Sequence, residues 1–434
     1  MSKRITYLLL GLPGLCGVAI AQNTNPPLTL TQARAMALKN HPQVLASEAL
    51  QSRAGQLTRE ERAAYYPTLN GDITGAQAEV NSRIGAGLLN DPRLFNHAGA
   101  GMTLSQLVTD FGRTHNLVAN SALQAKASGQ DLRASRYDVS FGVDQAYYEV
   151  LLAQQIVNVA QQTVKTRQTV VDQVSELAKN KLKSDIDLSF AQVNLSDANL
   201  MLLRARDRLE TAYASLGQAL GTQDAVKYQL ADEPMPPSPP STEDTLIAEA
   251  IQNRPELASL RLQTEAAQKF VYAERDLKRP SISLTGVGGV LPYIHPGNAN
   301  PSIPLTYEAL AVNVQVPVFN GFLFSARREA AQYQLQATEQ KTRDLQDRIA
   351  RDVRAAWQRA KTSFDAISAT EQLLKQANMA LELAQGRYNL GLASIVELTQ
   401  AQLGQTSAQV QNLNAMYEYQ EAYAALQYTV GELH

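Results

Sequence analysis

The sequence predicts a mixed α+β membrane protein, built as an internal tandem repeat with very long helices and four β-strands per chain. Three observations point to this class. Similar segments recur at a fixed offset, long stretches lack glycine and proline, and short segments alternate apolar and polar residues. Helical periodicity predicts helices, and strict alternation predicts strands.

The first 21 residues are typical of a secretory signal peptide. A basic start precedes a short apolar segment, and Ala19–Ala21 matches a cleavage motif. Cys16 raises the alternative of a lipoprotein, but Leu15 stands where lipid attachment requires a small residue. Cleavage after Ala21 removes the only cysteine, so we expect no disulfide in the exported chain.

The composition excludes several function classes. The chain has 434 residues, with 39 basic against 41 acidic side chains, which predicts no nucleic-acid partner. Its five histidines are scattered without the spacing of metal ligands. Catalytic triads and phosphate-binding motifs are not recognisable. We therefore predict neither an enzyme nor a bound cofactor or metal.

A tandem repeat organises the chain. Pro42 and Pro67 lie 25 positions apart, as do Pro255 and Pro280. The segment SDIDLSFAQ matches SIVELTQAQ 210 positions later. The predicted divisions are a signal peptide (1–21), a first repeat (22–221), a Pro-rich linker (222–242) and a second repeat (243–434).

Each repeat is expected to contain the same elements in the same order. A first helix, Thr31–Ala64 or Asp244–Leu277, ends before a proline. A β-hairpin follows, and then two long helices joined by a turn. In the second repeat Phe322–Gln385 lacks glycine and proline, which predicts a helix about 100 Å long at 1.5 Å per residue. The break is expected at Gly386–Gly391.

Spacing within the long helices predicts coiled-coil-like packing. Apolar residues of the first long helix recur three, four or seven positions apart, and small residues of its partner recur every seven, which allows close approach. The apolar positions include Leu345, Ile349, Val353 and Ala360; the small ones are Ala401, Ala408, Ala415 and Ala422. Trp357 is expected to pack between helices rather than to contact a substrate.

Alternating segments predict the strands. Each is about 9–10 residues long, which suffices for a tilted strand to cross a bilayer. The predicted strands are Leu69–Thr74, Gly99–Val108, Ser281–Val290 and Ala309–Phe319, with loops at Asn81–His97 and Gly288–Ser302. Aromatic residues near the strand ends fit either an interfacial belt or ordinary packing on helices; they are Tyr65, Tyr66, Tyr293, Tyr307, Phe319, Phe322 and Phe324.

Four strands cannot close a barrel, and an open sheet edge is not tolerated in lipid. If the strands span a membrane, the chain must therefore oligomerise. Three chains would supply twelve strands, an acceptable number for a β-barrel.

The chain resembles the TolC-like outer-membrane efflux proteins, or outer membrane factors. The resemblance lies in LTLTQARAMALKNHPQV, in LSQLVTDFGRTHNLVANSALQA (Leu104–Ala125) and in the two second-helix starts. It implies a homotrimer with a twelve-stranded barrel in outer-membrane lipid and a long α-helical periplasmic barrel. It also implies a passive exit duct for tripartite efflux or type I secretion, working with a periplasmic adaptor and an inner-membrane pump of RND, ABC or MFS type.

Two acids near the helix turns have two candidate roles. Ser184 with Asp187, and Ser394 with Glu397, have the spacing of capping boxes, in which each acid reaches back to a backbone N–H. The resemblance implies a ring of carboxylates at the periplasmic tip that favours cations, and both roles can hold together. Gln400 stands where related proteins have a second acid of this gate.

The resemblance also implies an adaptor-docking turn in the second repeat. Its residues are Arg387, Tyr388, Gly391, Leu392 and Ser394, and Ser184 is the counterpart of Ser394 in the first repeat. The alternative is a well-formed turn without a partner.

Two departures from the family pattern affect this tip. Ala393 replaces a latching arginine of some relatives, so a gate held by that arginine is not expected. The first repeat has Lys179, Lys181 and Lys183, which either tune the choice of adaptor or form a solvated turn.

The alternative function is that of a structural protein, a trimeric coiled-coil adhesin or structural protein of the cell envelope. Its stalk would not double back, whereas each repeat here is expected to return on itself. The sequence does not specify the cargo.

Overall fold

The computed structural model describes residues 27–77, 97–222, 227–294 and 306–432. The predicted signal peptide and Cys16 lie outside these residues. The helices are α1 (Leu30–Asn40), α2 (Pro42–Arg62), α3 (Arg113–Lys179), α4 (Asp185–Ala219), α5 (Asp244–Asn253), α6 (Pro255–Asp276), α7 (Leu323–Asn389) and α8 (Ile395–Val430); the strands are β1 (Thr68–Ala76), β2 (His97–Thr109), β3 (Ser281–Ile294) and β4 (Thr306–Gln315).

The first helix of each repeat is divided in two, which corrects the prediction of single helices at Thr31–Ala64 and Asp244–Leu277. The divisions fall at His41 and Arg254, the residues before Pro42 and Pro255, whose ψ angles are 126° and 120°. A proline ring clashes with a helical residue before it and lacks an N–H, so it ends one helix and starts the next.

The long helices α3 and α7 each contain 67 residues, or about 100 Å at 1.5 Å per residue. The break after α7 falls at Leu390–Ser394. Gly386 is helical, so the predicted break at Gly386–Gly391 began one turn too early. Because α3 and α7 start 210 positions apart, the two repeats match residue for residue along this length.

Close helix packing depends on small residues spaced seven apart. The buried members of this set are Ala191, Ala198, Ala205 and Ala212 on α4, and Ala408, Ala415 and Ala422 on α8. The predicted apolar stripe is also confirmed, since Ile349, Val353 and Ala360 of α7 are buried. Alanine at these positions lets two helices approach closely over many turns.

The four strands form one antiparallel sheet in the order β1-β2-β3-β4. The β2–β3 pairing joins the two repeats; for example, Leu104 lies opposite Gly286. Within the described residues, β1 and β4 each pair along one edge only. Much of the predicted loop Asn81–His97 lies outside the described residues.

Two strand boundaries differ from prediction. β3 continues through Gly288–Ile294, part of the predicted loop Gly288–Ser302, because the glycines remain in the ladder with β2 and β4. β4 ends at Gln315 rather than Phe319, because Gln315 pairs with Ser281, the first residue of β3. Beyond Gln315, none of the strands described in this chain continues the ladder.

The sheet has one apolar and one polar face. Side chains alternate between faces along a strand, so the observed registers place every second residue together. The apolar face includes Leu69, Ile73, Met102, Leu104, Ile282, Leu284, Leu310, Val312 and Val314; the polar face includes Asn70, Asp72, Thr103, Ser105, Ser283, Thr285 and Asn313. Ile73 is 90% exposed in the single chain.

The extended linker is held by side-chain donors from both repeats. Tyr147 Oη lies 2.8 Å from Leu28 O and 2.6 Å from Ala231 O. At the equivalent position of the second repeat, Trp357 Nε1 donates to Pro240 O at 2.8 Å, so the ring anchors the linker as well as packing on helices. Further donors are Tyr419, to Pro237 O, and Gln420, to Glu233 O.

Among the described residues, the helices lack a segment long and apolar enough to cross a membrane.

Replacing Tyr147 with phenylalanine tests the linker anchor. We expect Tyr147→Phe to lower the free energy of unfolding by about 1–3 kcal/mol, because Ala231 O loses the hydroxyl donor, while Leu28 O still accepts from Ala231 N at 3.0 Å. Denaturant titration followed by circular dichroism measures the change. Tyr333→Phe is the control, since Tyr333 is 68% exposed. Equal effects of the two changes would contradict the assigned role.

Candidate functional site at the helix turns

Two turns join the long helices, one in each repeat. The first turn is Asn180–Ser184, and the second turn is Leu390–Ser394. Both have a left-handed residue at the equivalent position, Lys181 with φ 59° and Gly391 with φ 76°.

The backbone closes both turns in the same way. Leu182 N donates to Leu177 O, and Leu392 N donates to Arg387 O, each at 2.8 Å. These bonds satisfy carbonyl groups at the helix end, as in Schellman caps. The first turn therefore keeps the geometry of the second although a lysine replaces the glycine, at a cost of roughly 1–2 kcal/mol.

The two predicted capping boxes differ. Ser184 Oγ accepts from Ile186 N at 3.2 Å, and Asp187 Oδ2 accepts from Ser184 N at 3.2 Å, so the first box is complete. Ser394 Oγ likewise accepts from Glu397 N at 3.2 Å.

The Glu397 carboxylate does not complete its box, which corrects that part of the prediction. Its Oε1 lies 3.1 Å from Arg387 Nε instead. The first repeat has Leu177 where the second has Arg387, so Asp187 lacks this competing cation. Because Arg387 and Glu397 are 57% and 45% exposed, the ion pair contributes little stability.

Tyr388 connects the two turns. It is only 5% exposed and belongs to an apolar cluster with Val174 and Leu398. Lys183 Nζ lies 4.7 Å from the centre of its ring, a cation–π contact between the repeats. Burial, and then the charge of Asp187, raise the pKa of Tyr388. Its ring is therefore part of the packing beneath the turns rather than their outer surface.

A buried polar pair lies behind the turns and was missed by sequence reasoning. Arg167 of α3 donates to Gln402 Oε1 of α8, and both side chains are about 4% exposed. The loss of water around Arg167 lowers its pKa. Within the described ranges, Arg167 forms no ion pair with a carboxylate. The signal in the sequence was its place between buried Ala160 and Val174, seven residues away on either side.

The outer surface of the turns is apolar. Leu390 and Leu392 are 76% and 67% exposed, and Leu182 of the first turn is 70% exposed. Ser184, Ser394, Gly391, Arg387, Glu397 and Gln400 are also exposed, while Asp187 is half-buried. The predicted docking residues thus separate into an exposed set and the buried Tyr388.

The described residues contain no cluster of side chains that could hold a metal ion. The two turns thus combine exposed leucine side chains with nearby carboxylates and, at the first turn, with exposed lysines.

Comparison with known proteins identifies relatives along both repeats. A family model described as "Outer membrane efflux protein" matches residues 33–222 and 246–432. Outer membrane protein TolC of Salmonella enteritidis is 22% identical, over 99% of this chain and 87% of that protein. Outer membrane efflux protein BepC of Brucella suis is 23% identical, over 93% and 86%.

The fold is shared with solved outer membrane channels. The CmeC channel of Campylobacter jejuni superposes with a TM-score of 0.80 at 18% identity, over 98% of this chain and 94% of that one. This likeness confirms the predicted fold class of long helices combined with a four-stranded sheet.

Two glycine-to-alanine changes test the second turn. We expect Gly391→Ala to destabilise the protein by about 1 kcal/mol, because alanine is strained at positive φ. Gly386→Ala, one turn earlier and helical, should instead stabilise it by about 0.5–1 kcal/mol. Neither added methyl group meets an atom within 4 Å. Unfolding free energies measure both effects, and changes of the same sign would refute the assignment.

Proposed function

The chain belongs to the outer membrane efflux protein family, and from this premise we propose that it is the exit duct of a tripartite efflux or type I secretion assembly. It is an outer membrane protein whose helical part lies in the periplasm. The observation that carries the proposal is the family match over both repeats. Transport in such an assembly is driven by the pump, so the proposal assigns no catalytic residue to this chain.

A homotrimer completes the duct. Among the described strands, β1 and β4 each leave one edge unpaired, and lipid does not tolerate such edges. Three chains joined edge to edge make a closed barrel of twelve strands. The apolar face, with Ile73 90% exposed in the single chain, then contacts lipid, and the polar face lines the pore.

The two turns are the proposed contact with a periplasmic adaptor, which connects the duct to an inner-membrane pump of RND, ABC or MFS type. The argument rests on the side chains of Leu182, Leu390 and Leu392, which are largely exposed in the single chain. Apolar groups of this kind form the centre of protein–protein contacts. Ser184, Arg387, Gly391 and Ser394 lie beside them, and Tyr388 supports them from below.

The acids beside the turns are proposed to set the ion preference of the pore tip. In a trimer each acid occurs three times, and a ring of carboxylates attracts cations. Arg387 pairs with Glu397, so Glu397 is locally compensated while Asp187 is not paired in this way. Gln400 adds no charge.

The proposed division of the chain follows the repeat: a signal peptide at 1–21, a first repeat at 22–221, a linker at 222–242 and a second repeat at 243–434. The linker lies against the helices at about their middle, where the resemblance implies a girdle around the duct.

Conductance in planar lipid bilayers tests the duct and its ion preference. We expect the purified trimer to conduct ions, and Asp187→Asn combined with Glu397→Gln to weaken cation selectivity, because two carboxylate rings are lost. Reversal potentials in a salt gradient measure selectivity. Glu371→Gln, on α7 about 24 Å from Arg387 at 1.5 Å per residue, is the control.

Unchanged selectivity in the double variant would leave Asp187 and Glu397 with their local roles only. A water-soluble monomer without conductance would rule out the duct itself.

Adaptor binding is tested by placing a charge on the second turn. We expect Leu392→Asp to reduce the amount of adaptor that co-purifies with the protein at least tenfold, because a buried unpaired carboxylate opposes docking. Leu373→Asp, an exposed position on α7 about 24 Å before its end at Asn389, should leave co-purification unchanged. Equal recovery of adaptor with both variants would remove the second turn from the docking surface.

A further inference from the structure

The seam inside the chain, where one repeat meets the other, is polar. Here the passage from β2 to α3, meaning the chain segment that connects these two elements, contacts the passage from α6 to β3. Asn116 Nδ2 donates to Asp276 Oδ2 at 3.2 Å, and Arg279 donates to Phe111 O. Arg279 also lies 3.4 Å from Asp276. A methyl group added to Gly112 would meet Asp276 at 3.4 Å, so the seam is closely packed there.

The tandem repeat predicts a second seam of the same geometry between chains. The passage from β4 to α7 lies 210 positions after that from β2 to α3. The passage from α2 to β1 lies 213 positions before that from α6 to β3, since Pro67 corresponds to Pro280. In a ring of identical chains, the passage from β4 to α7 of one protomer meets the passage from α2 to β1 of its neighbour.

The three side chains that connect the two passages at the inner seam, Asn116, Asp276 and Arg279, are replaced at the outer one. Ala63 stands in place of Asp276, Tyr66 in place of Arg279, and Ala326 in place of Asn116. Phe322 takes the place of Gly112. The four replacements are exposed in the single chain, Tyr66 and Phe322 by 70% and 76%.

We propose that protomers of this protein join through an aromatic seam, in which Phe319 and Phe322 of one chain pack on Ala63 and Tyr66 of the next. The inference rests on the trimer of the proposed function and assigns the residues that hold it together.

The volumes at this seam compensate one another. Phe322 adds a ring where Gly112 has no side chain, and the changes to Ala63 and Ala326 remove the polar groups that would obstruct it. Phe319 and Phe322 already pack edge to face, with ring centres 5.8 Å apart. Phe319 is itself 78% exposed, so a neighbour can cover both rings.

The backbone at Phe322 supports the same placement. Phe322 has φ 66° and follows Gly321 with φ 62°. A non-glycine residue in the left-handed region is strained, and such strain persists where the surroundings determine the conformation. The Phe322 ring beside this two-residue turn is 76% exposed in the single chain.

The same correspondence specifies a strand register between chains. Leu104 lies opposite Gly286 inside the chain, and their counterparts are Val314 and Ile73. Both residues belong to the apolar face, so the apolar band continues across the seam. The pairing also gives Val316–Phe319 a partner strand, which explains why β4 ends at Gln315 in the single chain.

Disulfide cross-linking tests the register in the full-length protein. The background variant is Cys16→Ser, which removes the only cysteine of the sequence. Directly opposite positions in an antiparallel pair bring Cα atoms to about 4.5–5.5 Å, within the Cα separation that a disulfide spans. We expect Ile73→Cys with Val314→Cys to give oxidised, cross-linked trimers on non-reducing gels.

The controls lie on the same face but out of register. Ile73→Cys with Val312→Cys, and with Val318→Cys, should remain uncross-linked. Trimers on native gels that cross-link only through a control pair, or through none, would overturn the seam and leave the trimer of the proposed function intact. Monomers on native gels would overturn both.

A second experiment separates an aromatic seam from rings that simply face lipid. We expect Phe322→Ala to lower the temperature at which the trimer dissociates in detergent by at least 5 °C. Phe111→Ala, the matched phenylalanine of the inner seam, whose contact to Arg279 uses the backbone, should leave that temperature unchanged. Equal temperatures for Phe322→Ala and the parent would mean that lipid covers the ring, and would overturn the aromatic seam.

Discussion

The close contact of helices that are 67 residues long is the constraint on which the remaining structure depends. Helices of this length have a large surface and little core, so each pair must make contact along its whole length. Alanine at every seventh position of α4 and α8 allows this, because the backbones approach without large side chains between them. The strands and the turns are therefore held at opposite ends of a stiff body.

Duplication explains how a single chain carries two kinds of seam. The two copies share lengths and backbone conformations, including the left-handed residues Lys181 and Gly391. They differ at the surfaces by which each copy contacts the other repeat or a neighbouring protomer. Asp276 and Arg279 form a polar network inside the chain, where hydrogen-bond partners are always present. Ala63 and Tyr66 occupy the equivalent positions at the outer edge, where an apolar surface is suited to a neighbouring protomer.

Much of the fold could be predicted because its signals are local or repetitive. The 210-position offset predicted the two long helices, and alternation predicted the strands. The ends of the helices and strands could be predicted less accurately. β4 stops at Gln315 because its neighbour β3 begins at Ser281, a fact of pairing that alternation does not encode. The conformational restriction imposed by Pro42 and Pro255 could have predicted the helix divisions. Helical periodicity on both sides of each proline favoured a single helix instead.

The candidate site was predictable in type and not in detail, because its contacts join distant parts of the chain. The Ser394–Glu397 spacing predicts a capping box, yet Arg387 takes the carboxylate, and only the folded turn brings the two side chains together. The Arg167–Gln402 pair spans 235 positions, so the seven-residue spacing around Arg167 predicts a packed position but does not identify its partner. A buried cation hydrogen-bonded to a neutral amide costs less when water can reach it. Burying Arg167 beside a neutral amide therefore opposes the packing of α3 against α8 at this contact, where the surrounding apolar side chains stabilise it.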